Sequence, residues 1–365
     1  MTYDIAIVGA GIAGATLAAA IGDRARVLML EAEDVAGYHA TGRSAAFWSE
    51  TYGGPAIQPL TTLSGDVLRE GGYLQPLGSL HIGKAGDEAV ADAFIAGFDG
   101  SGVELARVDP ARFVPGLRPG WTVGVIEPSC AYIDVAALHG DALAAARRAG
   151  AVIELGCALR SATRVDGRWR IETSDGVREA AVLVNAAGAW VDEVARAAGV
   201  APIGIQPYRR TLIQLRVDPP VPAAVPHVAH LGGSFYFKPE AGGRLWLSPH
   251  DETPVAAGDV QPEELDVAIA IDRMEQAVDW RVEQVERKWA GLRSFAPDRL
   301  PVYGFAADAP GFFWFAGQGG FGIQTAPAAA RVGAALLLGD SPPAGIDISR
   351  YTPARFVDKL APPMA

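Results

Sequence analysis

Short apolar runs alternate with amphipathic stretches along most of the chain. Tyr3 to Val8 is an almost unbroken apolar run, the pattern of a strand buried on both faces. An Ala-rich segment after Gly11 reads as a helix, and Val27 to Leu30 as a second buried strand ending at Glu31. Pro59 to Arg69 has helical texture, whereas Tyr73 to Lys84 alternates like a single strand leaving the first unit. The pattern then predicts a helix over Asp87 to Phe98, a strand over Trp121 to Glu127, and a helix over Val135 to Ala149. Asp134 can cap that helix and Gly150 end it. The dipeptides Asp166-Gly167 and Asp175-Gly176 mark tight turns between alternating runs, hence a three-stranded meander. The meander runs into a buried strand, a small-residue turn after Asn185 and another helix.

From Pro207 the texture changes to long antiparallel strands, as in "RRTLIQLRV" and "GSFYFKPEAGGRLWLSP". A helix near Pro262 to Val278 follows, with Asp266, Asp272, Glu275 and Asp279 expected on its solvated face. The pattern closes with a strand over Phe312 to Ala316, a glycine loop and a helix that Pro327 opens and Gly339 ends. Strand–turn–helix segments thus return three times, separated by two excursions rich in strand. The expectation is an α/β chain of two interleaved domains.

Composition narrows the function classes. The chain has 365 residues, is 50% hydrophobic and carries a formal net charge of −11. That length buries a large core, and a net negative chain without a Lys/Arg stripe argues against nucleic acid as a partner. No uncharged apolar run reaches about 18 residues, so no transmembrane segment is expected. A strand beginning at Tyr3 leaves no room for a signal peptide, and Cys130 and Cys157 show no metal-ligand spacing. The expected location is the cytoplasm, with peripheral association to the inner membrane as the alternative, and no metal is expected. Ala361 to Ala365 are expected to fray.

The N-terminal strand leads into Gly9, Gly11 and Gly14, a G-x-G-x-x-G series followed by a helix, a strand and Glu31. Gly9 permits the tight turn, Gly11 lets the backbone approach a pyrophosphate, and Gly14 lets the helix pack on the strand. The helix N-terminus stabilises phosphate charge, and Glu31 sits where an acid accepts a ribose hydroxyl. Both NAD and FAD use this fingerprint, whereas the acid disfavours a 2′-phosphate.

The stretch "HATGRSAAFWSETYG", His39 to Gly53, fits neither an amphipathic helix nor an alternating strand. Together with "VNAAGAW", "WAGLRSFAPDRLPVYG" and "GQGGFGIQTAPAAARVGAALL", it resembles the D-amino-acid oxidase/glycine oxidase superfamily of flavoproteins. Within that superfamily the chain is most similar to bacterial D-amino-acid dehydrogenases of the D-arginine type, from about Tyr3 to about Gly339. The resemblance implies a Rossmann-like FAD-binding domain interleaved with a substrate domain built on a largely antiparallel sheet with helices. Residues 1–75, 134–205 and 287–365 would form the first, and 76–133 and 206–286 the second.

The resemblance also implies noncovalent FAD in an extended pose. Its adenosine end would lie over Gly9, Gly11, Ile12, Ala13, Gly14, Glu31 and Ala32, with the Leu159 backbone at the adenine. Thr41, Gly42, Arg43, Ser44, Ala45 and Ala46 would wrap the pyrophosphate and the isoalloxazine edge, small because a flavin lies against them. Ala187, Gly188 and Trp190 mark a second crossing. Gly319, Gly320, Phe321, Gly322, Ile323, Gln324 and Thr325 would reach the pyrimidine end, where the last helix can stabilise a reduced anionic flavin. The cysteine that forms a flavin thioether in the sarcosine oxidase branch is missing from this loop.

Amino-acid oxidation moves a hydride from Cα to flavin N5, so the carboxylate must be pinned. Arg210 and Arg293 match the family's carboxylate clamp, because a guanidinium fork binds a carboxylate bidentately; Arg209 would be a salt-bridging neighbour. Tyr52 and Tyr236 match hydroxyls of the same pocket, and Gly320 and Gln324 border it. In the D-arginine enzymes a histidine stands at the position of Phe47 and an acid at that of Ser79. With Phe47 and Ser79, and with Trp48 and His81 beside them, a cationic side chain would be buried unpaired. A neutral, apolar or aromatic D-amino acid, or a cyclic amino acid of similar shape, is the expected substrate.

The electron acceptor stays open between a quinone, an electron-transfer protein and O2. Oxygen-using relatives in the sarcosine branch carry a lysine on the strand that here reads Arg244 to Ser248, which tilts the reading to a dehydrogenase. His227, His230, His250 and Cys157 form no triad or metal pattern and read as structural or surface residues. The rival readings are an oxidase of N-methyl or cyclic amino acids, a hydroxyacid dehydrogenase, and a flavin-binding redox sensor without catalysis.

Overall fold

Strand Thr2–Val8 pairs in parallel on both sides, with Gly176–Asn185 and with Val27–Leu30. The register sets Val8 opposite both Asn185 and Leu30, so the chain leaves three strands at one level, at Gly9, Glu31 and Ala186. Ligands of open α/β sheets bind at this carboxyl edge. A computed structural model describes residues 2–359, so the expected fraying of Ala361 to Ala365 lies outside the described residues.

This first sheet has eight strands. The expected meander, Leu159–Val165, Arg168–Thr173 and Gly176–Asn185, forms one side, and Val152–Glu154 closes the other. Phe312–Ala316 lies parallel to Gly176–Asn185 and carries Val302–Phe305. Helices Ile12–Ile21, Val135–Arg148 and Ala326–Leu338 pack together on one face, where Leu17, Ala142 and Val332 share a core. Asp134 caps the second of them by accepting from Ala137 N at 2.9 Å.

The second sheet has ten strands, is largely antiparallel, and is built around two long ones, Gln206–Asp218 and Arg281–Phe295. Helix Glu264–Ala277 covers it, with Met274 and Trp280 packed among Ile213, Leu215, Phe237 and Leu247. One pair in it is parallel, Ser79–Gly83 with His227–His230. A small third sheet joins Phe47–Trp48, Ala131–Ile133 and Leu74–Pro76.

Two sequence expectations change, and one long strand is unannounced. Tyr73 to Lys84 is two strands, Leu74–Pro76 and Ser79–Gly83, broken at Gly78 with φ +73° and joined to different sheets. Asp266 is not on a solvated face, because it pairs with buried Arg209 at 2.8 Å. Arg281–Phe295 passes unnoticed in sequence because its first half is exposed and polar on both faces, so it shows no alternation. The expected domain boundary at 286/287 falls inside this strand.

Candidate active site

A cleft of about 540 Å³ runs along the carboxyl edge of the first sheet. Gly9, Gly11, Ile12 and Ala13 line it at one end with Glu31, Ala32 and Leu159; Thr41, Arg43 and Ser44 follow, then Ala187, Gly188 and Trp190. At the far end stand Arg293, Gly319, Gly320, Gly322 and Ile323. The glycines are required by space. Gly9 has φ +103°, and a Cβ there would lie 2.5 Å from Ala186 O. A Cβ on Gly14 would collide with Gly9 O, so Gly14 serves helix–strand packing, and it does not line the cleft. Glu31 accepts from Ala10 N at 2.8 Å and Glu33 N at 3.1 Å, and Thr41 Oγ1 accepts from Ile12 N at 3.0 Å.

Six other expected cofactor contacts do not line the cleft. Gly42 is exposed, its N–H donating to Gly37 O at 2.8 Å, and Ala46 N bonds Ser44 Oγ. Ala45 lies against Leu212 and Tyr236, and Phe321 against Ile57 and Phe295. Thr325 donates to Phe321 O, and Gln324 is buried behind Tyr52. Conversely, sequence reading missed Tyr38, His39, Cys157, Gly258 and Val260, which do line the cleft. Arg43 reaches Asp259 at 2.6 Å beside Gly258, a contact between distant segments that no local spacing announces.

The second sheet brings the arginines to the far end. Tyr208 pairs with Arg293 and Arg210 with Gly291, so strand alternation puts both arginines on one face, and Gly291 leaves space opposite Arg210. Arg209 points the other way and is consumed by Glu263, Asp266 and, at 3.9 Å, Asp251. Arg210 is 1% exposed; its Nε donates to Asp251 O and its Nη2 to Glu252 Oε1, while Nη1 has no partner. Arg293 is 7% exposed and pairs with no acid among the described residues, and its Nε has no partner.

Tyr236 lies within the field of both arginines. Burial pushes its phenol pKa up and the two cations pull it back, so the hydroxyl stays protonated at neutral pH. A Cβ on Gly320 would strike the Tyr52 hydroxyl, which places Tyr52 against the glycine loop of the cleft. The turn carrying Tyr52 is held from two sides. Gln324 donates to Tyr52 O at 2.9 Å and accepts from Ser49 N at 3.3 Å. Buried Glu127, absent from the sequence reading, accepts from Ser49 Oγ, Glu50 N and Thr51 Oγ1 at 2.8, 2.7 and 2.6 Å. Its only sequence signal is an acid at the inner end of an apolar strand.

Phe47 joins this group, with ring centroids 5.3 Å from Tyr52, 5.9 Å from Tyr236 and 4.4 Å from His227. Trp48 does not, because neighbouring strand residues face opposite ways. Its fully buried indole donates to Thr61 O at 3.0 Å and packs with Ile12, Leu68 and Ile133. Ser79 is fully buried, with Oγ 2.9 Å from His227 Nδ1. His227, read from sequence as structural or surface, is therefore part of this wall. No lysine stands on Arg244–Ser248, but Lys238 on the paired strand lies buried with Nζ 4.2 Å over Trp246 and 4.4 Å over Tyr132. Burial lowers its pKa to about 8.

His81, beside Thr51 Oγ1 at 3.4 Å, has its pKa lowered to about 4 by burial. The folded state therefore binds fewer protons than the unfolded chain between about pH 4 and 6.5. Its contribution to stability is full above pH 6.5 and is lost on acidification, on the order of 3 kcal/mol by pH 4. Urea unfolding at pH 7, 6, 5 and 4 should show this loss, and His81→Asn should make the slope shallower without removing it, since burial also lowers the pKa values of His227 and His250. An unchanged slope in the variant would assign the acid lability elsewhere.

Among the described residues there is no cluster of three metal-ligating side chains and no helix long and apolar enough to cross a membrane. The chain is 26% identical over 256 residues to mouse (Mus musculus) mitochondrial dimethylglycine dehydrogenase, covering 64% of this chain but 29% of that protein. It is 26% identical over 201 residues to hydrogen cyanide synthase subunit HcnC of Pseudomonas aeruginosa, covering 54% of this chain and 45% of the relative. The chain thus spans less than half the length of each of these relatives. Among solved structures, L-proline dehydrogenase from P. horikoshii superposes with a TM-score of 0.86 at 20% identity, covering 98% of both chains. Glycine oxidase from Geobacillus kaustophilus gives 0.83 at 22% identity, covering 96% of this chain and 98% of its own. The glycine cradle, the acid at the second strand and the superposed fold agree with the family model that matches residues 4–336: the chain belongs to the FAD dependent oxidoreductase family, DAO.

Proposed function

We propose that the protein oxidises the Cα–N bond of a neutral D-amino acid, apolar or aromatic, or of a cyclic amino acid of similar shape, to the imino acid. The observation that carries this reading is Arg293: a buried guanidinium at the end of the cofactor cleft, without an acid partner, on the same strand face as Arg210. A buried unpaired cation is costly unless an anion meets it, and a substrate carboxylate matches its fork.

The residues present fit FAD. The Gly9–Ala13 turn admits the pyrophosphate where side chains would not fit, Glu31 is placed for a ribose, and the glycine loop from Gly319 lies next to Arg293. When bound, FAD supplies the hydride acceptor. The protein's own contribution is positioning: Arg293 and Arg210 hold the carboxylate, the hydroxyls of Tyr236 and Tyr52 add hydrogen bonds, and Phe47 packs on the side chain. In this reading residues 1–75, 134–205 and 287–365 serve the cofactor, and 76–133 and 206–286 the substrate. No cysteine falls in the loop from Gly317 to Thr325, which supports a noncovalent flavin.

The names of the relatives, dimethylglycine and L-proline dehydrogenases, support a secondary or tertiary amine as the second reading. One experiment separates the possibilities. The purified protein should be yellow, acid should release its FAD, and anaerobic addition of D- and L-amino acids, proline and sarcosine should bleach only with the true substrate class. Neutral D-amino acids should bleach faster than D-arginine, since Phe47 and Ser79 offer no counter-charge. Bleaching by L-enantiomers alone, or best by D-arginine, would overturn the specificity. Reoxidation in air against a quinone then separates oxidase from dehydrogenase.

A further inference from the structure

Beside Phe47 and Tyr236 lies a buried polar atom that the described residues leave unmatched, Nε2 of His227. His227 opens the strand His227–His230 and pairs in parallel register with Ser79. Ser79 Oγ, 2.9 Å away, occupies its Nδ1. The other ring nitrogen, Nε2, is buried and has no hydrogen-bond partner among the described residues. The residue is 4% exposed, and its ring lies 4.4 Å from that of Phe47 and 5.5 Å from that of Tyr236, the residue within the field of both arginines. Burial, reinforced by His81, Lys238 and His250, holds its pKa well below the usual 6.5, so the ring is neutral, with one donor and one acceptor nitrogen.

A buried polar atom without a partner is a standing cost that a ligand relieves by matching it. If the Ser79 hydroxyl donates to Nδ1, Nε2 carries the hydrogen and donates; if Nδ1 donates to Ser79, Nε2 accepts. A hydroxyl answers either tautomer and brings no charge to desolvate, whereas an ammonium answers only one and would need a counter-charge. Resting on the reading that Arg210 and Arg293 hold the carboxylate, we propose that His227, positioned by Ser79, is a specificity-determining residue that binds a hydroxyl on the side chain or ring of a neutral amino acid through Nε2, while Phe47 packs on the carbon skeleton.

Pairs of substrates that differ by one hydroxyl test this: proline and 4-hydroxyproline, phenylalanine and tyrosine, alanine and serine, each in the enantiomer that bleaches the flavin. In at least one pair kcat/KM should favour the hydroxylated member by roughly 10-fold or more, because a site built for a hydroxyl penalises the analogue that lacks it. His227→Phe should bring that ratio to about 1, and His227→Asn, which keeps a donor and an acceptor, should retain part of it. Ser79→Ala should weaken the preference without abolishing it. The Kd values of benzoate and 4-hydroxybenzoate, read from flavin absorbance in wild type and Ser79→Ala, report the same contact without turnover, and they stand even if His227→Phe fails to fold. Amino acids that bleach the flavin with no hydroxyl preference in any pair, or a preference that survives His227→Phe, would overturn the proposal and leave the parent reading intact. A flavin that no amino acid bleaches would overturn both.

Discussion

Replacing Arg293 with Ala should lower kcat/KM by about 2–5 kcal/mol, which is ~30-fold to several thousand-fold, with little change in melting temperature. The loss is large because a buried carboxylate would lose its charged, bidentate partner. Stability should hold because Arg293 pairs with no acid among the described residues, so its removal strands no carboxylate. Arg210→Ala should behave differently. Arg210 also bonds Asp251 O and Glu252, so the variant should lose activity and melt earlier. Arg293→Lys should recover only part of the loss, since an ammonium cannot form the fork. Steady-state kinetics beside thermal melts of the three variants check the set. Near-normal kcat/KM in both alanine variants would place the carboxylate elsewhere.

Gly9→Ala and Gly14→Ala should each abolish FAD retention. At both positions the added Cβ meets a backbone carbonyl, Ala186 O or Gly9 O, which cannot swing aside as a side-chain tip can. Gly9 carries the further strain of φ +103°, so the turn beneath the pyrophosphate must open. The expected products are colourless proteins with lowered melting temperatures that do not recover colour on dialysis against FAD. Gly140→Ala is the control. It lies within helix Val135–Arg148 with open space around its Cβ, so it should keep the flavin and gain about 0.5–1 kcal/mol of stability. A yellow Gly14→Ala protein of normal stability would show that the helix can shift, and that the cradle is less tightly built than these contacts require.

The sequence alone determined the features that are local in the chain. Gly9, Gly11, Gly14 and Glu31 announce a nucleotide turn because a tight turn, a close backbone approach and a helix start each restrict residue type within a few positions. The cap at Asp134, the turns at Asp166-Gly167 and Asp175-Gly176 and the Pro327 helix start are legible for the same reason, and each appears as expected. The first-sheet strands Val27–Leu30 and Phe312–Ala316 are legible because burial on both faces leaves them uniformly apolar.

Tertiary structure decided what depends on facing and on distant pairing. Phe47 and Trp48 are adjacent and similar as letters, yet pleating sends one to Tyr52 and Tyr236 and the other into the core. Arg209 and Arg210 divide in the same way: one is spent on Glu263 and Asp266, while the other shares a strand face with Arg293. Asp266 looked solvated because helical periodicity shows where a helix is polar, not which distant cation lies across from it. Glu127 reads only as a strand end and His227 as a structural or surface residue, because neither belongs to a spaced motif. Only the packing of the Ser49–Tyr52 turn, and the parallel pairing of Ser79 with His227, turn an isolated acid and an isolated histidine into parts of one site. Local sequence restricts backbone shape, whereas the partners of a buried polar atom are chosen by register and by segments far apart in the chain.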